Sequence, residues 1–494
     1  MGVDRRSFLK GSGAVAAGAA LGGPFQGFLA RTVSAAGPPV PAPTLAPVAD
    51  LRDGIERLSL PPGFAYRSFD PTGIPMAFGG NLPGNHDGMG AFGAGGGRVL
   101  LIRNHEVNGS TGAYTNAPGV PMYDSAARGG NTYVLVDLHG NVERTWPALA
   151  GTQMNCAGGS TPWGTWISCE ETVNGPDVFD DFTRNIPTPS PAETYVQNAR
   201  LTKTHGYIFD VPADGVATAE PITHAGRFAH EAAVFDPITG SIYLTEDNFG
   251  YGSGLYRYDP PVDPRRAKRI EDGGTLWMLG VEGGAANLSG DQQRGTRYQV
   301  RWVRIDEPNP VFPMVNGLPT TINNRAIVNI AEQGWDAGGA VFSRLEGIVW
   351  DKGVVYFTAT QGGGDPEPVD WFASAEGRGG FGRGTGQVWA FHPNRGILEV
   401  VYQSTSTADL RLPDNVTASP RGTLILCEDN SGPNRLQALN KWGGLTTFAQ
   451  RYDIPAVEFA GACFSPNGTT MYCNLNTGSA LTVAIWGPWN TLGI

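Results

Sequence analysis

Residues 86–106 read HDGMGAFGAGGGRVLLIRNHE, which is an apolar run, a glycine-rich turn, a second apolar run and a polar, acidic end. Short turns of this kind between β-rich runs are typical of β-hairpins. The same arrangement recurs in five further stretches: NCAGGSTPWGTWISCEE (155–171), HEAAVFDPITGSIYLTEDN (230–248), LEGIVWDKGVVYFTATQ (345–361), PDNVTASPRGTLILCEDN (413–430) and GACFSPNGTTMYCNLN (461–476). The sequence therefore predicts six hairpins.

Each hairpin is followed by further strand-like runs, such as NTYVLVDLHGNVERTW at 131–146 and GQVWAFHPNRGILEVVY at 386–402. Four strands per repeat are the content of a propeller blade. We therefore expect an all-β fold, a six-bladed β-propeller with a central metal-binding channel mouth. It would be a single domain over residues 50–494, with an insertion near 261–335. The alternative from the residues alone is an ordinary pair of β-sandwich domains with coincidental turns.

The composition excludes two other classes of protein. With 70 Gly and 38 Pro among 494 residues, helices would be interrupted too often for bundles or coiled coils. The hydrophobic fraction of 40% and the 22 Phe, 15 Tyr and 12 Trp supply a large core, which excludes a disordered chain.

The amino terminus has the pattern of an export signal. The run Arg5-Arg6-Ser7-Phe8-Leu9-Lys10 precedes a weakly apolar, glycine-rich stretch and a small-residue end at Val33-Ser34-Ala35-Ala36. This pattern predicts a twin-arginine signal peptide over residues 1–36 and a periplasmic or secreted protein delivered by the twin-arginine translocase. A chance basic terminus before an anchor helix is the alternative, but the apolar stretch is short and contains Pro24, so we expect no stable membrane insertion.

Residues 37–49 are rich in proline and predict a linker. The signal segment carries four basic residues and one acidic residue, so its removal changes the formal net charge from −11 to −14. An acidic chain favours divalent cations and argues against nucleic acid as a partner. We expect a monomer.

Polar and acidic residues stand where the first strand of each hairpin begins and where the second strand ends. In a propeller these two places meet at one mouth of the channel. The strand starts carry His86-Asp87, Asn155-Cys156, His230-Glu231, Arg344 with Glu346, Asp414-Asn415 and Glu458. The strand ends carry His105-Glu106, Cys169-Glu170-Glu171, Glu246-Asp247, Cys427-Glu428-Asp429 and Asn474.

So many carboxylates would repel one another unless cations lay between them. Their oxygens suit Ca²⁺, whereas a thiolate at Cys169 or Cys427 suits a softer ion such as iron. We therefore interpret the mouth as a site for several metals of more than one kind. Any single carboxylate at a strand end could instead be a solvated turn residue, His105 and His230 could be structural, and Arg344 could simply pair with Glu346.

The five cysteines leave an odd thiol. Cys463 and Cys473 face each other across one predicted turn, and Cys156 and Cys169 across another. Each pair could form a cross-strand disulfide or remain as buried thiols, and for Cys169 metal ligation competes with a bond.

The sequence lacks a G-x-S-x-G elbow, a Walker loop, an H-E-x-x-H helix and a C-x-x-C pair. The remaining chemistry is attack by a metal-bound oxo or hydroxo group on a substrate oxyanion that the metals and an arginine neutralise. Arg344 is the candidate catalytic arginine.

From about residue 50 to the carboxyl terminus, the sequence resembles the PhoX-type alkaline phosphatases. The motifs that carry the resemblance are NCAGGSTPWGTWISCEE, GRFAHEAAVFDP, SRLEG, LPDNV and LIRNHE. The resemblance implies an exported six-bladed propeller that releases inorganic phosphate from small phosphomonoesters with Ca²⁺ and Fe³⁺.

The resemblance also assigns residues. The iron-binding cysteine of the family matches Cys169, two acidic metal ligands match Glu231 and Glu346, and the phosphate-facing arginine matches Arg344. Glu106, Glu170 and Asp414 fall where further metal ligands are expected.

Two rival functions fit a carboxylate-lined propeller. A calcium-dependent lactonase or esterase would hold a single calcium and no iron. A non-enzymatic metal-binding propeller would not turn over p-nitrophenyl phosphate.

Overall fold

The computed structural model describes residues 42–179, 198–284, 286–364, 382–454 and 457–494. The predicted signal peptide and the first five residues of the predicted linker lie outside these ranges. Of the rest of that linker, residues 46–49 form the first strand, which pairs with residues 56–60. Residues 41–494 form one compact unit.

The chain alternates strands and turns with few helices. In the first part the strands are β1 (Ala46–Ala49), β2 (Glu56–Leu60), β3 (Ala65–Phe69), β4 (His86–Gly93), β5 (Arg98–His105), β6 (Gly129–Asp137), β7 (Val142–Thr152), β8 (Asn155–Ser160), β9 (Thr165–Glu170), β10 (Ile208–Pro212), β11 (His230–Phe235), β12 (Ile242–Glu246), β13 (Leu255–Asp259) and β14 (Thr275–Val281). In the second part they are β15 (Ala286–Asn287), β16 (Arg297–Arg304), β17 (Met314–Val315), β18 (Leu318–Pro319), β19 (Ala340–Val341), β20 (Leu345–Asp351), β21 (Val354–Ala359), β22 (Gln387–His392), β23 (Ile397–Gln403), β24 (Pro413–Ala418), β25 (Leu424–Glu428), β26 (Arg435–Leu439), β27 (Leu445–Arg451), β28 (Glu458–Phe464), β29 (Thr470–Asn476) and β30 (Leu481–Trp486). The α-helices are α1 (Pro264–Ala267) and α2 (Asn323–Asp336), and the 3₁₀ turns are Asn198–Arg200, Thr223–Ala225 and Trp489–Thr491.

The strands form six antiparallel blades, and each blade begins with one of the predicted hairpins. They are β4 to β7, β8 to β10, β11 to β14, β20 to β23, β24 to β27, and β28 to β30 with β3. The innermost strands β4, β8, β11, β20, β24 and β28 contact one another in that order, and β28 contacts β4. The predicted six-bladed propeller is therefore confirmed.

The amino-terminal strand β3 completes the last blade by pairing with β30, so that both ends of the propeller meet in one sheet. Strand β16 pairs with β14 of the third blade and with β23 of the fourth, which joins these two blades along their outer edges. The range 261–335 thus contains one blade strand, β14, besides α1, β15, β16, the small β17–β18 hairpin and most of α2.

The hydrophobic core lies between neighbouring blades. Apolar side chains of alternate strand positions pack face to face there, for example Ile167 and Ile208 of the second blade against Ala233 of the third. A cavity of about 460 Å³ runs along the axis and is lined by all six innermost strands. All five cysteines are free thiols, so each of the two candidate pairs takes the second alternative, that of unbonded thiols. Within the described ranges, no helix has the length and apolar character needed to cross a membrane.

Candidate metal centre

Every innermost hairpin has a bulge near the start of its first strand. The ladder between the first two strands of a blade skips two residues, for instance between His86 and Met89 and between Asn155 and Gly158. The same interruption occurs in the other four blades. A bulge bends the strand and redirects its side chains, and bulges are common beside active sites.

The residue that opens each bulge projects a ligand-type side chain in five of the six blades. These residues are Asp87, Cys156, Glu231, Glu346 and Asp414, with Gly461 in the sixth blade. The residue that follows the paired end of the second strand is acidic in four blades, where it is Glu106, Glu171, Asp247 or Asp429. Equivalent positions in successive blades thus build one ring of ligand atoms.

The innermost strands approach closely because small residues follow the ligand positions. A Cβ atom on Gly347 would lie 2.5 Å from the backbone nitrogen of Val416 in the next blade, and one on Gly88 would overlap Ala157. Only glycine permits this approach. It brings the side chains of neighbouring blades within reach of a shared ion.

Three groups of side chains at the mouth place their ligand atoms within 4.8 Å of one another. Cys156 belongs to the first and the second group, and Glu231 to the second and the third, so the groups form a chain around the mouth. They are Asp87 with Glu106 and Cys156, Cys156 with Glu171 and Glu231, and Glu231 with Glu346 and Asp414.

The clusters gather several acidic groups in a buried place. Burial first, and then the carboxylate of Glu106, raises the pKa of Asp87 well above its usual range. Burial and Asp414 do the same to Glu231, and burial together with Glu171 raises the pKa of the Cys156 thiol. Groups with such pKa values ionise together only if cations neutralise them.

The donor atoms fit bound cations. Asp87 is 4% exposed, and its buried Oδ1 has no hydrogen-bond partner among the residues that the structure describes. Carboxylate oxygens are hard ligands for Ca²⁺, and a thiol shared by two groups is a ligand for a softer transition metal. The residues present therefore fit a site for several metals.

Arg344 adds a cation at the edge of the chain of clusters. It precedes β20 directly and has a left-handed backbone, with φ of 47°. Its Nη2 lies 2.7 Å from Oε1 of Glu346, and its guanidinium is paired with Asp247 and covered by the Phe249 ring, 3.7 Å from the ring centroid. Burial lowers the pKa of Arg344, but Asp247 and Glu346 outweigh burial and raise that pKa above its ordinary value. Arg344 therefore stays charged.

The sixth blade closes the ring with an amide. Nδ2 of Asn476 donates to Asp87, Glu106 and Glu458 at 3.3, 3.3 and 3.4 Å. Burial, followed by the nearby carboxylate of Asp429, raises the pKa of Glu458 well above its usual range. The sixth blade thus adds one more buried acidic group to the mouth.

Two family models match this chain. The family model described as alkaline phosphatase PhoX matches residues 44–143 and 135–478. The chain belongs to the alkaline phosphatase PhoX family. A model of the twin-arginine translocation signal matches residues 2–22. The predictions of a metal-dependent phosphomonoesterase and of twin-arginine export are thereby confirmed.

The alignment with one solved structure shows the same fold. Pseudomonas fluorescens PhoX in complex with vanadate, a transition state analogue, aligns with a TM-score of 0.60 and 18% identity over 90% of this chain and 97% of that chain. Virginiamycin B lyase from Staphylococcus aureus aligns with a TM-score of 0.36 and 12% identity over 86% and 99%, respectively. No curated protein matches the sequence.

Five of the seven site residues expected from the PhoX resemblance are brought together. Glu106, Glu231, Glu346 and Asp414 lie in the three clusters, and Arg344 contacts Glu346. Asp87, Cys156 and Glu171 join them. Asp87 and Cys156 stand at strand starts and Glu171 at a strand end of the hairpin pattern, but the PhoX resemblance did not assign them as ligands.

Cys169 lies outside the clusters of this PhoX-family chain. It is fully buried in the apolar core beside Ile167 and Ile208, and burial alone raises the pKa of its thiol. The structure instead places Cys156, the other cysteine of the same hairpin, at the mouth.

Glu170 is also turned away from the clusters. Its Oε1 binds His205 Nδ1 at 2.7 Å and the Gln153 backbone N–H at 2.9 Å, and its Oε2 accepts from the backbone of Gly206 at 2.9 Å. These partners satisfy the hydrogen-bonding capacity of the Glu170 carboxylate, which is therefore structural. The next residue, Glu171, is the one that faces the mouth.

Two of the histidines at strand starts and ends, His105 and His230, contact the protein's own carbonyl and hydroxyl groups. His105 binds the Gly84 carbonyl at 3.0 Å and the Thr132 hydroxyl at 2.9 Å. His230 binds the Gly226 carbonyl at 2.9 Å, and burial lowers its pKa to about 3, so it is neutral. His105 immediately precedes Glu106, and His230 immediately precedes Glu231.

Proposed function

We propose that the mouth of this propeller binds Ca²⁺ and Fe³⁺ and hydrolyses small phosphomonoesters, releasing inorganic phosphate outside the cytoplasm. The observation that supports this most is the chain of three ligand clusters ending beside Arg344. The proposed metal ligands are Asp87, Glu106, Cys156, Glu171, Glu231, Glu346 and Asp414.

Cys156 indicates which of the proposed metals each cluster holds. It is the only thiol in the three clusters, and it belongs to two of them. A thiolate favours iron over calcium, so we place Fe³⁺ next to Cys156 and Ca²⁺ among the carboxylates of Glu231, Glu346 and Asp414. A single-calcium lactonase site has no use for a thiol shared between two clusters.

Bound cations would supply Lewis acidity, which lowers the pKa of a coordinated water and neutralises phosphate charge. The chain itself supplies the second half of the phosphate site. Arg344 presents a planar, always charged guanidinium suited to phosphate oxygens. Its pairing with Asp247 and its Phe249 cover hold it in place and exclude water. Phosphate oxygens between cations and Arg344 would be held for in-line attack.

The chain would act as a monomer delivered by the twin-arginine translocase. All six blades, including the one that the amino-terminal strand completes, come from a single chain. Light scattering during size-exclusion chromatography tests this.

Elemental analysis and a phosphatase assay test the function together. We expect calcium and iron in the purified protein, turnover of p-nitrophenyl phosphate that EDTA abolishes, recovery on adding Ca²⁺ with Fe³⁺, and inhibition by vanadate. A single calcium, no iron and hydrolysis of a lactone would support the lactonase instead. No turnover of p-nitrophenyl phosphate under any metal regime would overturn the proposal.

A further inference from the structure

Arg227 lies four residues before Glu231, at the entry to the innermost strand β11, and its side chain is 0% exposed. Its Nη1 binds Oδ2 of Asp177 at 2.6 Å, and its Nη2 binds Oδ1 of the same carboxylate at 2.8 Å. Such a buried, two-bond pair fixes both partners in orientation as well as distance.

The remaining donors of Arg227 bind four backbone carbonyls, which lie in three segments of the chain. Nη2 binds Val173 at 3.0 Å, and Nε binds His205 at 3.2 Å. Nη1 binds Pro310 at 3.1 Å, and the backbone N–H binds Pro308 at 2.8 Å. One residue thus ties together segments that are more than 80 residues apart in the chain.

The partners of Asp177 extend the same connection. The backbone N–H of Phe312 donates to Oδ2 of Asp177 at 3.2 Å, and the Phe312 ring lies 5.1 Å from the Arg227 guanidinium carbon. The segment 308–312, which follows β16, is therefore fastened to the mouth side of the propeller through these two side chains.

The segment around Val173 and the segment around Arg227 each carry a proposed metal ligand. Val173 and Asp177 follow Glu171 by two and six residues, and Arg227 precedes Glu231. Glu171 and Glu231 belong to the same three-residue group, in which Cys156 is the third member. Arg227 therefore spans the second and third blades at the point where their ligands must converge.

Carboxylates that share an ion repel one another before the ion binds. A ligand group retains high affinity only if neighbouring structure holds it together against this repulsion, and outer partners of metal ligands are commonly worth 10- to 100-fold in affinity. We propose that Arg227, with Asp177, is a positioning residue for the cation that Cys156, Glu171 and Glu231 hold. This inference rests on the proposed function.

The test compares metal retention in Arg227→Met, Arg227→Lys and Asp177→Asn with that of the parent. Arg57→Met is the matched control, because Arg57 is also a buried arginine, paired with Asp50 at 2.7 Å on the outer strand β2. Each purified protein is dialysed against increasing EDTA, bound metals are measured by elemental analysis, and thermal unfolding is recorded in the same buffers.

We expect the Arg227 and Asp177 variants to lose part of their metal at about 10- to 100-fold lower EDTA concentration than the parent. The Arg57 control should unfold at lower temperature but keep its metals. Lysine should not restore retention, because it lacks the planar fork. If Arg227→Met does not fold, the Asp177→Asn result decides in the same way.

Retention equal to the parent in a metal-loaded Asp177→Asn or Arg227→Lys protein would overturn this inference and leave the proposed function intact. Metal loss from the Arg57 control at the same EDTA concentration would also overturn it, because the effect would then follow stability alone. A parent that binds no metal would overturn the proposed function and this inference with it.

Discussion

Arg344 and Asp247 form a two-bond ion pair between the third and fourth blades, with Nε to Oδ1 at 3.0 Å and Nη2 to Oδ2 at 2.7 Å. Asp247 stands at the strand-end position that Glu106 and Glu171 occupy in other blades, but its carboxylate faces the arginine. It is 2% exposed and Arg344 is 7% exposed. The pair therefore fixes the cation that would meet phosphate.

Replacing Asp247 by Asn should weaken phosphate binding without removing metal. The neutral amide holds the guanidinium less firmly, and small misplacements of a positioning group cost about 10²-fold in rate. We expect kcat/KM for p-nitrophenyl phosphate to fall by about 10- to 100-fold and vanadate to inhibit more weakly. Asp50→Asn, which disturbs the Arg57–Asp50 pair, is the control. Unchanged vanadate inhibition in Asp247→Asn would contradict the assigned role.

The two cysteines of the second blade should respond in opposite ways. Cys156→Ser should lose iron and activity, because Cys156 belongs to two ligand clusters. Cys169→Ser should keep both but unfold more easily, by about 1–3 kcal/mol, because it buries a hydroxyl in the apolar core beside Ile167. Elemental analysis and thermal unfolding of both variants check this. If the Cys169 variant lost iron and the Cys156 variant kept it, the assignment of Cys169 as the iron ligand, which the resemblance implies, would be correct.

The contrast between these cysteines shows how far the sequence predicts the site. The hairpin pattern places Glu106, Glu231, Glu346 and Asp414 among many polar strand starts and ends, and the PhoX resemblance selects these four, which lie in the clusters. The pattern and the resemblance do not choose correctly between Cys156 and Cys169 or between Glu170 and Glu171 as members of the clusters. Successive residues of a strand point to opposite faces. A side chain one position along the strand therefore faces the core instead of the mouth.

The ion pairs between distant segments could not be predicted from the sequence, for a different reason. The Arg344–Asp247 pair joins residues 97 positions apart, and the Arg227–Asp177 pair joins residues 50 positions apart. No local sequence pattern indicates which loops come into contact when the blades close into a ring. The bulge that redirects Asp87 and Cys156 likewise became visible only in the strand register.

Glu246 should make stability depend on pH. Its Oε2 accepts from the Gly254 N–H and the Tyr256 hydroxyl, both at 2.9 Å, and burial raises its pKa to about 8. The folded protein therefore holds a proton that the unfolded chain releases near the ordinary value of 4.5. Stability falls as the pH rises from about 4.5 to about 8 and then levels off, with a loss of roughly 4–5 kcal/mol at most.

Glu246→Gln removes this titration and keeps a hydrogen-bond acceptor. The variant should gain stability relative to the parent between pH 5 and pH 9, by up to the same roughly 4–5 kcal/mol. Urea unfolding at both pH values, at equal metal load, measures the difference. A difference between variant and parent that stays constant from pH 5 to pH 9 would show that Glu246 does not titrate in this range.

Gly347 should be required for the ring of ligands to close. It lies between the ligand Glu346 and the next innermost strand, where an added Cβ would stand 2.5 Å from the nitrogen of Val416 and 2.7 Å from the carbonyl oxygen of Asp414. Backbone atoms cannot rotate away as a side chain would, so Gly347→Ala must separate the fourth and fifth blades. We expect a loss of about 1–3 kcal/mol in unfolding free energy and weaker metal retention, because Glu346 and Asp414 share a cluster. Gly93→Ala, at the end of β4 with nothing within 4 Å, should change stability by less than about 0.5 kcal/mol and leave the metals in place. Equal effects of the two substitutions would mean that the close approach of the strands does not set the geometry of the mouth.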